Sequence, residues 1–244
     1  MPSSYTRGAR LITIPFSHYC EKARWALEHE GVPFREEPHI PMFAWLPALR
    51  AGGRRTVPVL VTEDGRRLTD SHDIVRFAAP SLYPDDIASE VEALEATFDR
   101  RVGPAVRRIA YGRAMRDRVV MEELFTKDAP RWECAVSRKT LPMMITIMKR
   151  GLRIDDDGIS RSEKTLATIS ADVEERLRDG RRWLFGDRFT AADLTLAALM
   201  VPVVVPPRME ARYSSRTQDL DSLIERHRET PAGRFAMRAY EDQR

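Results

Sequence analysis

Cysteine is scarce in this sequence: two residues in 244, Cys20 and Cys134. Two thiols make no disulfide framework, so a reducing cytoplasm is the expected setting. Long apolar runs are missing, and none reaches the roughly 20 residues that cross a bilayer, so no membrane association is expected. The N-terminal MPSSYTRGAR lacks the apolar core of a secretory signal. Charge of one sign is lacking too: 40 Lys and Arg face 37 Asp and Glu, a net +3. That balance argues against a dedicated nucleic-acid binder. The five histidines are scattered without metal-ligand spacing, so no metal is expected. Asp155-Asp156-Asp157-Gly158 lacks the further ligands and glutamate of a calcium loop and reads as a plain loop. There is no internal repeat and no low-complexity segment. What is present is a 43% hydrophobic chain, long enough for one large domain or two small ones.

The chain is organised around Leu11 to Leu27, LITIPFSHYCEKARWAL. Leu11, Ile12 and Ile14 read as a buried strand, stopped by Pro15. Ser17 is a helix N-cap. Cys20, Ala23, Trp25, Ala26 and Leu27 form an apolar helix face, with Glu21, Lys22, Arg24 and Glu28 pointing away. A strand feeding a helix N-terminus is a prepared anion site. Gly31 then caps the helix. Val32 to Glu36 reads as a second, parallel strand. A short helix is expected from Met42 to Leu49, broken by Gly52 and Gly53. Thr56 to Val61 reads as a third strand with Pro58 at its start or edge. Glu63-Asp64-Gly65 is a hairpin turn leading to a short strand ending at Leu68. Thr69-Asp70-Ser71 offers caps for a helix burying Ile74, Val75, Phe77 and Ala78, closed by Pro80.

Beyond Ala79 to Asp86 nearly everything is helical. Val91, Leu94, Phe98, Val102, Ala105 and Ile109 follow helical spacing, with a kink or interruption expected at Gly103-Pro104. A second helical region runs from Val119 to Lys149, interrupted at Pro130 and Pro142. Met143, Met144, Ile145, Ile147 and Met148 are adaptable packing residues, some able to line an apolar pocket. Another helix covers Ser162 to about Asp179. Thr190 and Asp193 form a capping box for the next, which leads to a proline-rich exit at Pro202, Pro206 and Pro207. A final helix follows Pro231.

The order β-α-β-α-β-β-α over the first 80 residues, with four motifs in sequence, resembles the glutathione S-transferase superfamily. The motifs are Ser17-His18-Tyr19-Cys20, Val57-Pro58, Asp70-Ser71, and Phe185 to Asp193. The first is similar to the active-site turn of glutaredoxins with serine in the first cysteine position. The resemblance implies an α/β thioredoxin-like N-terminal domain (residues 1–80) that binds glutathione. An all-α C-terminal domain (residues 86–244) then supplies the co-substrate pocket. It also implies a homodimer, glutathione as co-substrate and a small electrophile as second substrate.

By the same resemblance, Ser17 donates a hydrogen bond to the glutathione sulfur, and Val57 offers backbone bonds to the cysteinyl part if Pro58 is cis. Asp70 and Ser71 hold the γ-glutamyl end. Each also has a plainer reading: Ser17, Asp70 and Ser71 are all natural helix caps. Cys20 reads as a small buried structural thiol, Tyr19 as packing, and His18 as a solvated first-turn residue. Arg54 and Arg55 read as a solvated loop, with contact to the glycyl carboxylate as the alternative. Arg100, Arg101, Arg107, Arg108 and Arg113, with Tyr111, read as a solvated helix face, with a site for an acidic co-substrate as the alternative. A non-catalytic relative that binds another protein, or glutathione-dependent isomerase, dehalogenase or reductase chemistry, are the competing functions.

Overall fold

The computed structural model describes residues 8–244. The first seven residues of the segment read above for a secretory signal lie outside it. The chain begins with β1 (Ala9–Thr13), α1 (His18–His29), β2 (Phe34–Pro38) and α2 (Trp45–Arg50). β3 (Val59–Val61), β4 (Arg67–Leu68) and α3 (Ser71–Ala78) complete the N-terminal half. The sheet order is β2-β1-β3-β4, with β1 and β2 parallel and the other neighbours antiparallel. Side chains alternate across it. Leu11 and Leu60 are register partners that join the main core with Ala23 and Ile74, while Ile12 and Val59 face Ala48 and Ala51 in a smaller cluster.

A 3-10 turn (Pro80–Leu82) leads to the helical half: α4 (Ala88–Ala114), α5 (Arg118–Thr126), α6 (Arg131–Leu152) and α7 (Asp156–Arg176). Then come α8 (Ala191–Val204), a 3-10 segment (Pro207–Tyr213), α9 (Gln218–Arg228) and α10 (Pro231–Gln243). This is a thioredoxin-like sheet-and-helix domain followed by an all-helical one. All residues of α8 are buried. It packs against α1, α4, α9 and α10 and forms the axis of the molecule. Its start is the expected capping box: the Asp193 carboxylate accepts from the Thr190 backbone N–H at 2.8 Å, the Thr190 hydroxyl at 2.5 Å and the Leu184 N–H at 2.8 Å. No single described helix is long and apolar enough to cross a membrane.

Several readings are corrected. Glu21, Lys22 and Arg24 do not point away from the core; all three are buried, and only Glu28 is exposed. Each has a charged partner. Lys22 Nζ lies 2.9 Å from Glu95 and 2.7 Å from Asp99, and Arg24 pairs with Glu21 at 2.9 Å and Glu36 at 2.8 Å. Glu21 also meets Tyr240 at 3.2 Å and Arg244 at 3.1 Å. Phe77 is exposed rather than part of the α3 core face. The second strand and the short second helix each begin later than read, and the third strand begins only after the proline.

Pro104, Pro142 and Pro202 sit inside continuous helices and interrupt none of them. The first two leave the carbonyls of Arg100 and Arg138 unpaired, and both residues are exposed to water. Asp155 to Gly158 is not a loop: Asp155 caps α7 by accepting from the Gly158 N–H at 2.6 Å, and the acidic residues sit favourably in its first turn.

Candidate active site

The turn between β1 and α1 is held from three sides. The Arg24 guanidinium donates to the Pro15 carbonyl at 2.9 Å and to Glu36 at 2.8 Å. The Thr13 hydroxyl donates to the same Glu36 carboxylate at 2.5 Å. From the helical half, the Tyr213 hydroxyl donates to the Phe16 carbonyl at 2.8 Å. Ser17 follows as the N-cap of α1, its Oγ accepting weakly from the Cys20 N–H at 3.4 Å. That contact uses an oxygen lone pair and leaves the hydroxyl proton free to donate.

Ser17 opens into a cleft of about 430 Å³ between the two halves. The N-terminal wall includes His18, Trp45 and Val57; the helical wall is Arg107 and Tyr111 from α4 with Ile147, Met148 and Leu152 from α6. The β2–α2 loop completes the rim and is anchored from α6. The buried Glu133 carboxylate pairs with His39 Nδ1 at 2.6 Å and accepts from the Ile40 N–H at 2.8 Å.

His18 is a correction. It is not solvated: it is 1% exposed, and neither ring nitrogen has a hydrogen-bond partner of normal geometry among the described residues. Burial first, and the nearby Arg107 charge second, lower its pKa to about 3, against a weaker pull from the Gly103 carbonyl. The ring is therefore neutral. Tyr19 has its proton committed, donating to the Asp99 carbonyl at 2.8 Å. Burial pushes that phenol's pKa up. The bond is possible because position 103 is glycine: a Cβ there would lie 2.1 Å from Tyr19 Oη. Cys20 is fully buried, and burial raises its thiol pKa above the ordinary value. It is a packing thiol.

The family model of the glutathione S-transferase N-terminal domain matches residues 16–79, and that of the C-terminal domain matches residues 156–219. The chain belongs to the glutathione S-transferase superfamily. No curated protein sequence matches it significantly. Solved glutathione transferases share its fold. GSTFuA3 from Phanerochaete chrysosporium is 18% identical with a TM-score of 0.64, the match covering 97% of each chain. CsGST63524 of Ceriporiopsis subvermispora, solved in complex with glutathione, is 13% identical with a TM-score of 0.63 and 96% coverage of each. Glutathione transferase F2 from Populus trichocarpa is 17% identical with a TM-score of 0.57, covering 96% of this chain and 99% of that one.

Of the residues that the likeness to glutathione S-transferases singled out, Ser17 and Val57 line the cleft, and the Val57–Pro58 peptide is cis. Pro58 is buried behind Val57. Asp70 and Ser71 stand at the start of α3, outside the cleft lining. Asp70 is exposed and caps that helix by accepting from the His72 N–H at 2.8 Å, while Ser71 is buried. The arginines divide. Arg100 and Arg101 are exposed, Arg108 donates to the Leu152 carbonyl at 3.1 Å, and Arg113 pairs with Asp219 at 3.1 Å. Arg107 faces the cleft. His18, in the cleft lining, was misread, and Glu133, which anchors the cleft's rim from behind, was missed. The one signal was negative, a histidine where the family's turn has proline.

Proposed function

We propose that this protein is a glutathione transferase, acting on an electrophilic small molecule in the cleft beside Ser17. The observation that carries the reading is the Ser17 hydroxyl. It caps α1, opens into the cleft and has its proton free. In this reading residues 1–80 form the glutathione-binding domain and residues 86–244 supply the co-substrate pocket. Ser17 donates to the glutathione sulfur, and the positive end of α1 favours the same charge. A free thiol with a pKa of about 8.5 is only a few per cent ionised at neutral pH, so lowering it by about two units makes most of it thiolate. The thiol proton passes to solvent. The thiolate then forms a carbon–sulfur bond as the leaving group departs with its electron pair. Val57 offers its backbone to the cysteinyl part, with Pro58 fixing the chain behind it. Ser71 and the first N–H groups of α3 hold the γ-glutamyl carboxylate, and Asp70 pairs with its amine. The homodimer implied by the likeness is part of the proposal and is tested by sedimentation.

Calorimetric titration with reduced glutathione, on the protein and on Ser71→Ala, tests the reading. Binding that weakens on the order of 10-fold in the variant supports it. Turnover of an electrophile panel should then fall about 10- to 100-fold in Ser17→Ala, the loss of one hydrogen bond to a charged sulfur. A second reading, a non-catalytic relative that binds another protein, is favoured by one observation. Away from the cleft lining, α6 exposes Trp132, Val136 and Met143. Glutathione that neither binds nor stabilises the protein at millimolar concentration would overturn the transferase reading and leave this one.

A further inference from the structure

The cleft holds polar groups that the proposed glutathione contacts do not use. Arg107 projects into it from α4 and has no ion-pair partner among the described residues; its Nε is buried without a hydrogen bond. The nearby carboxylates of the same helix are spoken for, since Glu95 and Asp99 both pair with Lys22. Arg107 lies close enough to His18, Tyr19 and Tyr111 for its charge to act on all three. Beside it the His18 ring is 1% exposed with both nitrogens unpartnered. Buried polar groups are nearly always satisfied, so a half-buried guanidinium with a buried, unpaired Nε and an unpartnered imidazole lining one cavity lack a partner of complementary chemistry. The surroundings narrow that chemistry. Ile147, Met148 and Leu152 make the adjoining wall apolar. The second arginine of the lining, Arg55, is exposed and stacks on Trp45, so beside the neutral imidazole Arg107 alone balances a single negative charge; a dianion would leave one charge uncompensated in that wall. The planar guanidinium matches a carboxylate in two parallel hydrogen bonds.

We propose that Arg107 is the anchor for a carboxylate on the second substrate, with His18 giving a further hydrogen bond and the α6 wall taking the apolar body. The transferase would thus select monoanionic apolar electrophiles. This rests on the cleft being the second-substrate pocket of the function proposed above, and it deepens that reading.

Calorimetry with cinnamate and its uncharged carboxamide tests the anchor, because the two probes share an apolar frame and differ in charge. The native chain should bind the carboxylate about 10-fold or more tightly than the amide, the worth of a charge-assisted pair. Arg107→Gln should abolish the preference while leaving amide affinity unchanged, and Arg107→Lys should keep part of it. Arg55→Gln, at the exposed rim, should keep all of it. Equal affinity for the two probes, no measurable binding of cinnamate, or a preference that survives Arg107→Gln or disappears in Arg55→Gln overturns the proposal. Glutathione is titrated into the same samples. Affinity for it that falls in Arg107→Gln assigns the charge to glutathione and also overturns the anchor. An Arg107-dependent carboxylate preference in a protein that does not bind glutathione supports the anchor and refutes the transferase reading. Circular dichroism of each variant confirms that it is folded.

Discussion

Replacing Lys22 with methionine should cost the protein about 3–5 kcal/mol, the usual penalty for removing one partner from a buried ion pair. Lys22 and Glu95 are fully buried, and the Asp99 side chain is one-fifth exposed. The ammonium joins α1 to α4 and is the cation that both carboxylates share. His72 and the Tyr83 hydroxyl still reach Glu95, at 2.9 and 2.8 Å, so Asp99 is the group left without a partner. Its carboxyl already lies above the ordinary aspartate range because burial outweighs the attraction of Lys22. For a chain of this size, 3–5 kcal/mol corresponds to a fall in Tm of roughly 6–20 °C. The sign of the pH dependence follows by linkage. Without Lys22 the folded state holds its carboxyls at a raised pKa and so binds more protons than the unfolded chain. Stability therefore falls as pH rises from about 4 through that raised value. The penalty should be smaller near pH 5 than near pH 8, and Lys22→Met/Asp99→Asn should recover part of it at the higher pH. Thermal unfolding followed by circular dichroism at both pH values reads this out. A drop in Tm of under about 3 °C, or one that does not change with pH, would refute the buried-pair reasoning.

Three other outcomes follow from the same kind of argument. His72 has its pKa raised above the ordinary value, chiefly by its hydrogen bond to Glu95. Its stabilisation is complete below about pH 6.5 and is lost as pH rises through the folded value, so Tm should fall more steeply above pH 6.5 in the native chain than in His72→Gln; parallel curves would exclude it. Asp193→Ala leaves the buried backbone N–H groups of Leu184 and Thr190 without acceptors. It should cost about 3–5 kcal/mol, seen as a lower denaturation midpoint with an unchanged slope. Gly103→Ala forces Tyr19 off the Asp99 carbonyl, since the new Cβ would lie 2.1 Å from its hydroxyl oxygen. It should lower stability by about 1–3 kcal/mol despite alanine's better helix propensity, and Tyr19→Ala in the same chain should relieve it, read from a double-mutant cycle.

Features specified by neighbouring residues were legible in the sequence. Ser17, Asp70 and the Thr190–Asp193 pair cap their helices because each cap reaches only two or three residues along the chain. Strand alternation and the glycine turns are equally local. Burial of charge was not legible. Lys22 finds Asp99 77 residues away, and Glu21 finds Tyr240 219 residues away, so helical periodicity alone assigns both to a solvated face. His18 was misread for the same reason, since the Gly103 region that covers it lies on another helix. Pro104 and Pro142 misled in the opposite direction, whereas Pro130 does part α5 from α6. Tertiary packing and water-exposed carbonyls absorb a break that the local rule enforces only in isolated helices. At the site, the likeness to glutathione S-transferases pointed to Ser17 and Val57. Only the tertiary placement of α4 sets Arg107, in the cleft lining, apart from the exposed Arg100 and Arg101.

The enclosure of α1 also sets a schedule. Trp25 donates its indole N–H to the Gln243 carbonyl, and Glu21 meets Tyr240 and Arg244. α8 packs against the same helix. During synthesis α1 emerges well before the elements that cover it. At roughly 5–20 residues per second, the ribosome takes about 10–40 s to deliver the residues between them. For that interval Trp25 lacks its cover from α10, and Glu21 lacks Tyr240 and Arg244. The N-terminal half therefore completes its packing only once translation reaches α10, and a ribosome stalled before that point leaves the Trp25 side of α1 uncovered.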